Sequence, residues 1–278
     1  MKEAPRYGAV EQVHPLVRRV LARNPSPFTF TGTHTHIVGR GEVAVIDPGP
    51  DLLEHLDAMT AALAGERLSA ILVTHTHRDH SPLAVALAER TGAPVIGCAV
   101  VASPAFDESY APDRVLADGE SVVGEGWTLT AVATPGHTSN HLAFALPEAR
   151  ALFSGDHVMG WSTSVVVPPD GDMGAYLASL EQLLNRDEDV YFPTHGDPVR
   201  EPRRLVRGMI GHRRQRERQV LRVLVAGPAT IPAMVATMYA GLDEGLKQAA
   251  VASVHAHLID LARRGAVTAD GDHWRLAA

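Results

Sequence analysis

Four side chains able to hold a metal ion, His75, His77, Asp79 and His80, fall within six residues of the stretch AILVTHTHRDHSPL. Neutral imidazole together with carboxylate is a donor set for zinc, and manganese or iron also accept it. The stretch follows the apolar run Ser69–Val73, which reads as a buried strand, and precedes a helical pattern through Leu83, Leu87 and Ala88. The four residues therefore lie on a loop that leaves a strand and enters a helix, where all of them can turn toward one point. The same tetrapeptide, Thr-His-Thr-His, occurs earlier at 33–36. There Gly39 and Arg40 stand at the offsets of Asp79 and His80, so the first copy lacks the carboxylate. His34 and His36 alternate with threonines as residues of a β-strand do. We read them as neighbours of the site and not as ligands.

Three more clusters follow a common plan. TLTAVATPGHTSNHLAFAL is a strand, a Pro-Gly turn, His137 and a second strand; ARALFSGDHVMG is a strand ending at Gly155-Asp156; DVYFPTHGDPV is a strand ending at His195-Gly196. Each potential ligand stands at a strand end beside a glycine that lets the chain turn sharply. Repetition of this unit places ligands along one rim of a sheet. One zinc usually takes four ligands, and seven are present. They divide between two ions: His75, His77 and His137 for the first, Asp79, His80 and His195 for the second, with Asp156 bridging. The pattern predicts two divalent cations, zinc first and manganese or iron compatible, with a hydroxide shared between them.

The whole chain bounds the setting. At 278 residues it has room for one large domain or two unequal ones. No run approaches the roughly 20 apolar residues of a membrane span, and the first 20 residues lack the apolar segment of a secretory signal. The single cysteine, Cys98, fits a reducing compartment and reads as a small buried residue. We expect a cytoplasmic protein. Residues 1–200 carry 13 Lys and Arg against 25 Asp and Glu, whereas residues 201–278 carry 12 against 7. Eight arginines between Arg203 and Arg222 are opposed there only by Glu217. That asymmetry points to two domains or to a polyanion-facing segment.

THTHRDH, TPGHT, FSGD and PTHGDPV, in this order, resemble the metallo-β-lactamase superfamily over roughly residues 15–200. The resemblance implies an α+β fold, an αββα sandwich with metals at one edge of two facing sheets. VIDPG at 45–49 also matches, which implies that Asp47 supports the metal loop from behind. A bridging Asp156 looks like the glyoxalase II and RNase Z side of the family, and dedicated β-lactamases typically lack it. Asp79 then orients the nucleophile or carries its proton. His141, four residues beyond His137, is a candidate to hydrogen-bond substrate.

The C-terminal part reads as a long basic helix from about 203, a short helix after Pro228-Ala229-Thr230, an amphipathic helix ending at Gly265 and a hairpin around Asp270-Gly271. That order is winged-helix-like, giving a catalytic domain over 1–202 and an appended domain over 203–278. The combination, with the opening NPSPFTFTGTHTHIVG, resembles the β-lactamase-like 2 group, whose animal member is a mitochondrial single-strand-specific endoribonuclease. Three functions are weighed. The first is a dinuclear metallohydrolase acting on single-stranded RNA, with Arg213, Arg214, Arg216 and Arg218 on phosphates. The second is a hydrolase of small thioesters, esters or lactones, with weak promiscuous β-lactamase activity allowed. The third is a metal-bound DNA-binding regulator, which the open metal positions disfavour. A homodimer is compatible with all three.

Overall fold

The computed structural model describes residues 4–101 and 106–277. These divide into two compact units, the first made of residues up to 134, 140–162 and 187–202, the second of 135–139, 163–186 and 203–278.

The first unit carries two sheets. One runs β1 (Val10–His14), β2 (Val17–Leu21), β3 (His34–Arg40), β4 (Glu42–Ile46), β5 (Arg67–Val73), β6 (Val95–Gly97) and β7 (Arg114–Val115), in that spatial order. Its first four strands pair antiparallel and the rest parallel. Parallel pairing needs crossovers, and two helices supply them: α1 (Leu53–Ala62) between β4 and β5, and α2 (Leu83–Thr91) between β5 and β6. The second sheet contains β8 (Ser121–Gly124), β9 (Trp127–Ala133), β10 (Leu142–Leu146), β11 (Ala151–Gly155) and β12 (Val190–Pro193), ordered β12-β11-β10-β9-β8.

Strands β4 and β5 are near-continuous apolar runs, EVAVI and RLSAILV, because both faces are covered. One face takes Leu56, Met59, Leu83 and Leu87 from the helices; the other takes Leu129, Phe144, Phe153 and Phe192 from the second sheet, all in one core. Trp127, 1% exposed, donates its indole N–H to the Glu42 carbonyl at 2.9 Å and ties sheet to sheet. Cys98 is buried in this unit, and burial pushes its thiol up to about 12, so it packs as an inert small side chain.

The second unit holds α3 (Met173–Leu184), α4 (Pro202–Val225, whose Pro202 belongs to the first unit), β13 (Ala229–Thr230), α5 (Ile231–Met238), α6 (Lys247–Arg263), β14 (Val267–Asp270) and β15 (His273–Leu276). Thr230 caps α5 by accepting from the Ala233 N–H, and Asp172 caps α3 by accepting from Ala175. Val220 and Leu224 of α4 pack with Met234, Val254, Leu258 and Val267 in a core of its own. The hairpin at Asp270-Gly271 forms, and β13, which has no periodic signal of its own, adds a third strand beside β15. Long basic helix, short helix, amphipathic helix and hairpin follow one another as the sequence predicts.

The arginine run differs from its sequence reading. Arg213 is only 4% exposed; it donates to the Ser164 carbonyl and to the Ser253 hydroxyl, and lies over the Tyr176 ring. Arg214 pairs with Glu181 at 2.7 Å, and Arg216 lies over the Tyr239 ring at 4.3 Å. Charge number along the helix could not reveal that Tyr176 and Glu181 of α3, Ser253 of α6 and Tyr239 just beyond α5 take up these three arginines, while Arg218 is exposed. Tyr176 is fully buried.

His257 of α6 is 1% exposed and neither ring nitrogen has a hydrogen-bond partner. Burial first, then the charges of Arg213, His212, Arg264 and Arg216, lower its pKa to about 3. In the unfolded chain it titrates near the ordinary 6.5. As pH falls below that value the unfolded chain binds a proton that the folded one refuses. Stability then declines by up to about 1.4 kcal/mol per pH unit, until about pH 3. We expect the thermal midpoint of the second unit to fall between pH 6.5 and 4, and His257→Leu to make that fall shallower, as calorimetry across a pH series would read. An unchanged slope would show that His257 does not carry it.

Candidate metal centre

The loop between β5 and α2 carries His75, His77, Asp79 and His80. It is held by one carboxylate. Asp47, at the end of β4 with φ +50°, is 1% exposed. Its Oδ1 accepts from the Thr74 N–H at 2.8 Å; its Oδ2 accepts from the Thr74 hydroxyl at 2.8 Å, from His80 Nδ1 at 2.9 Å and from the Thr194 hydroxyl at 3.1 Å. The ends of β4, β5 and β12 thus converge on one side chain. A left-handed backbone at a non-glycine residue costs energy, and these four bonds hold it. The support role read for Asp47 has this concrete form.

His80 shows what the centre demands. It is fully buried, and its Nδ1–H goes to Asp47, so the Nε2 lone pair faces the other way. That Nε2 has no hydrogen-bond partner and stands 3.5 Å from Asp79 Oδ2 and 3.5 Å from Asp156 Oδ2. His195 Nδ1 donates to the Gly32 carbonyl at 3.1 Å, and its Nε2 lies 3.1 Å from Asp79 Oδ2 and 3.3 Å from Asp156 Oδ1. Two lone pairs facing two carboxylates repel unless a proton or a cation sits among them. The ionisation equilibria express this. Burial works against charge on His195, yet Asp156 and Asp79 raise its pKa to about 10. Burial likewise opposes the His80 imidazolium, and Asp79, Asp156 and Asp47 outweigh it and raise its pKa well above the usual value. Burial also opposes ionisation of Asp79, and His80 and His195 hold its carboxyl below the ordinary range. Divalent cations would replace those protons on the same atoms, so the residues present fit a metal centre.

Two groups of potential ligand atoms in the first unit lie within 4.8 Å of one another: His75, His80 and Asp156; Asp79, His80 and His195. They bring together five of the seven sequence candidates; His77 Nδ1 lies 3.0 Å from His75 Nε2, and His137 belongs to the second unit. The nitrogens that point away are committed. His75 Nδ1 lies 3.0 Å from the Thr74 hydroxyl, and His137 Nδ1 donates to the Val165 carbonyl at 2.6 Å. Such bonds fix the tautomer and leave Nε2 to the metal. Gly155, at φ +49°, turns β11 just before Asp156, and a Cβ there would come within 2.6 Å of His141 Nε2.

His141 has a different task from the substrate contact read in the sequence. It is 1% exposed. Its Nε2 accepts the Asp156 N–H at 3.2 Å, so its Nδ1 carries the proton and donates to the Thr134 hydroxyl at 2.7 Å. The imidazole positions the backbone of Asp156. Its short spacing from His137 could not show this, because the partners come from β11 and from the end of β9.

The first Thr-His-Thr-His serves the site through its threonines. Thr33 donates to Asp79 Oδ2 at 3.4 Å, and Thr35 donates to the Asp47 carbonyl at 2.8 Å. His34 and His36 are buried and belong to no ligand group among the described residues. The sequence reading missed Thr74, Thr134 and Thr194. The signal for two of them was present, since Thr74 and Thr194 each immediately precede a ligand histidine at a strand end.

We expect Asp47→Asn to weaken metal affinity by about 10- to 100-fold, because an amide presented to His80 Nδ1–H supplies one acceptor where a carboxylate supplies several. Competition with a chromogenic chelator would read it. Affinity equal to that of the unaltered protein would remove Asp47 from the support of the loop. His34→Ala and His36→Ala should leave metal content intact.

Comparison with known proteins agrees with this geometry. A family model described as the metallo-beta-lactamase superfamily matches residues 29–195, and one described as the beta-lactamase associated winged helix domain matches residues 230–274. A beta-lactamase-like protein 2 homolog of Drosophila melanogaster is 34% identical over 280 residues, covering 92% of this chain and 91% of that protein. The atrochrysone carboxyl ACP thioesterase dmxR1 of Cryptosporiopsis sp. (strain 8999) is 32% identical, covering 87% and 78%. The crystal structure of a beta-lactamase domain protein from Burkholderia ambifaria superposes with a TM-score of 0.83 at 21% identity, covering 99% and 96%, and supports the fold. The chain belongs to the metallo-β-lactamase superfamily, as a hydrolase carrying the β-lactamase-associated winged helix at its C-terminal side.

Proposed function

We propose that the chain is a dinuclear zinc hydrolase of thioesters, with small esters and lactones as related substrates. The observation that carries this choice over RNA is the arginine helix. Arg213 is buried, Arg214 pairs with Glu181 and Arg216 lies over the Tyr239 ring, so three of the four arginines read as phosphate contacts serve the second unit's own packing. A single-strand phosphate track needs exposed, uncommitted cations. A relative named as an acyl-carrier thioesterase supports the same reading. The regulator reading falls away, since the chain is a superfamily hydrolase. No described helix is long and apolar enough to cross a membrane.

His75, His77 and His137 would hold one cation, Asp79, His80 and His195 the other, with Asp156 between them. Asp156 lies within 4.8 Å of both His75 from the first set and His80 from the second, the position a carboxylate shared between the sets needs. Two divalent cations held by these residues would polarise the acyl oxygen and would bring the pKa of water from about 15.7 to about 7. Asp79 is the most accessible of the carboxylates here, with a side chain 26% exposed against 10% for Asp156. It accepts a proton from the water that attacks the acyl carbon, and returns it to the departing thiolate. Asp47 and His141 hold their partners through this exchange and do not meet substrate.

Elemental analysis should find two metals per chain, and His75→Ala or Asp156→Ala should lower that number. A reproducible stoichiometry of one, unchanged by added zinc or manganese, would overturn the dinuclear reading. Hydrolysis of an acyl-pantetheine thioester should be abolished by chelator and fall by about 10²- to 10⁴-fold in Asp79→Asn. A single-stranded oligoribonucleotide cut faster than any thioester, with a salt slope that flattens in the Arg214→Gln/Arg218→Gln protein, would reverse the choice of substrate.

A further inference from the structure

Beside the candidate metal centre the first unit holds a cavity of about 620 Å³ that none of the seven candidate ligands lines. The size suits a small organic molecule, for which pockets of about 300–1,000 Å³ are usual. Part of its wall is apolar, with Leu21, Val10 and Phe30. Phe30 sits at φ +58°, uncommon for an aromatic residue, and stacks on Trp161 at 4.9 Å and 15°. The polar part contains Arg19, 6% exposed, and His34, 5% exposed.

Arg19 is a buried cation with donors to spare. Its Nε donates to Glu11 at 2.7 Å and one terminal nitrogen donates to the Gly196 carbonyl at 3.2 Å. Those bonds use two of its five N–H groups, and the second terminal nitrogen has no partner among the described residues. His34 is held neutral, because burial and then the Arg19 charge lower its pKa to about 3, and its Nδ1 lacks a hydrogen-bond partner. Glu11 and Asp197 face the same space, and Arg6 with Arg19 balances them. Spare guanidinium donors call for an acceptor oxygen, and a carboxylate is the strongest one available.

We propose that this cavity binds a small organic carboxylate with an apolar or aromatic body, its oxygens on the free edge of Arg19 and its body against Leu21, Val10 and Phe30. The site is joined to the centre by the backbone on either side of His195. Arg19 holds the Gly196 carbonyl, and the His34 N–H donates to the Thr194 carbonyl at 2.8 Å. Binding needs no turnover, so the proposal stands apart from the choice of substrate.

The test uses metal-loaded protein, with 4-phenylbutyrate and its amide as probes, read by calorimetry and by the fluorescence of Trp161 against Phe30. The acid should bind at least about tenfold more tightly than the amide. Ala9→Phe, which fills the cavity without touching a charge, should abolish binding at unchanged metal content, and Arg19→Gln should weaken it at least about tenfold. Equal affinity for acid and amide would overturn the proposal. So would undiminished binding in Ala9→Phe, which would place the acid on the metals. Should Arg19→Gln fail to fold, Ala9→Phe decides alone. Competition with substrate would identify the natural ligand as the acid end of substrate or product; binding without effect on KM would identify a separate metabolite acid.

Discussion

The centre depends on a single buried carboxylate. Asp47 takes four hydrogen bonds from three residues, Thr74 and His80 on one loop and Thr194 more than a hundred residues further along the chain, and so brings the ends of β4, β5 and β12 to one point. A buried carboxylate without donors is costly. Here every donor is itself a neighbour of a ligand or a ligand. Thr74 precedes His75, Thr194 precedes His195, and His80 turns its other nitrogen to the centre. The requirement that Asp47 be satisfied is therefore the same requirement that aims the histidines.

The two sheets make this arrangement rigid. Strands β4 and β5 are buried on both faces, and close packing there leaves little room for the loops above them to shift. Charge then sets the chemistry. Carboxylates of Asp79 and Asp156 meet imidazole nitrogens at 3.1 to 3.5 Å, an assembly stable only with protons or cations among its members. In the second unit the same logic works in the opposite sense. Arg213, Arg214 and Arg216 of α4 are spent on hydrogen bonds, an ion pair and aromatic rings, so the middle of a helix that reads as a polyanion track is a brace.

The cavity beside His195 gives the first Thr-His-Thr-His a second use. Its threonines face the metal loop and the Asp47 turn, while His34 lines the space that Arg19 serves. Alternation along a strand separates the two tasks, because successive side chains leave on opposite faces.

Much of this protein is determined by its sequence alone. The seven candidate ligands, the strand-then-ligand plan and the fold class are local: each rests on residue types within a few positions, on period-2 runs, and on glycines whose backbone freedom only that residue supplies. The difference between the two Thr-His-Thr-His copies is local as well, since a carboxylate either stands at the matching offset or does not. Tertiary structure alone decided the rest. That His141 positions Asp156, that Arg213 is buried, and that Arg19 keeps free donors over a cavity all depend on partners 15 to 177 residues away in the chain. Local pattern reports which groups a residue carries. Which of those groups stay free is set by what the fold brings against them.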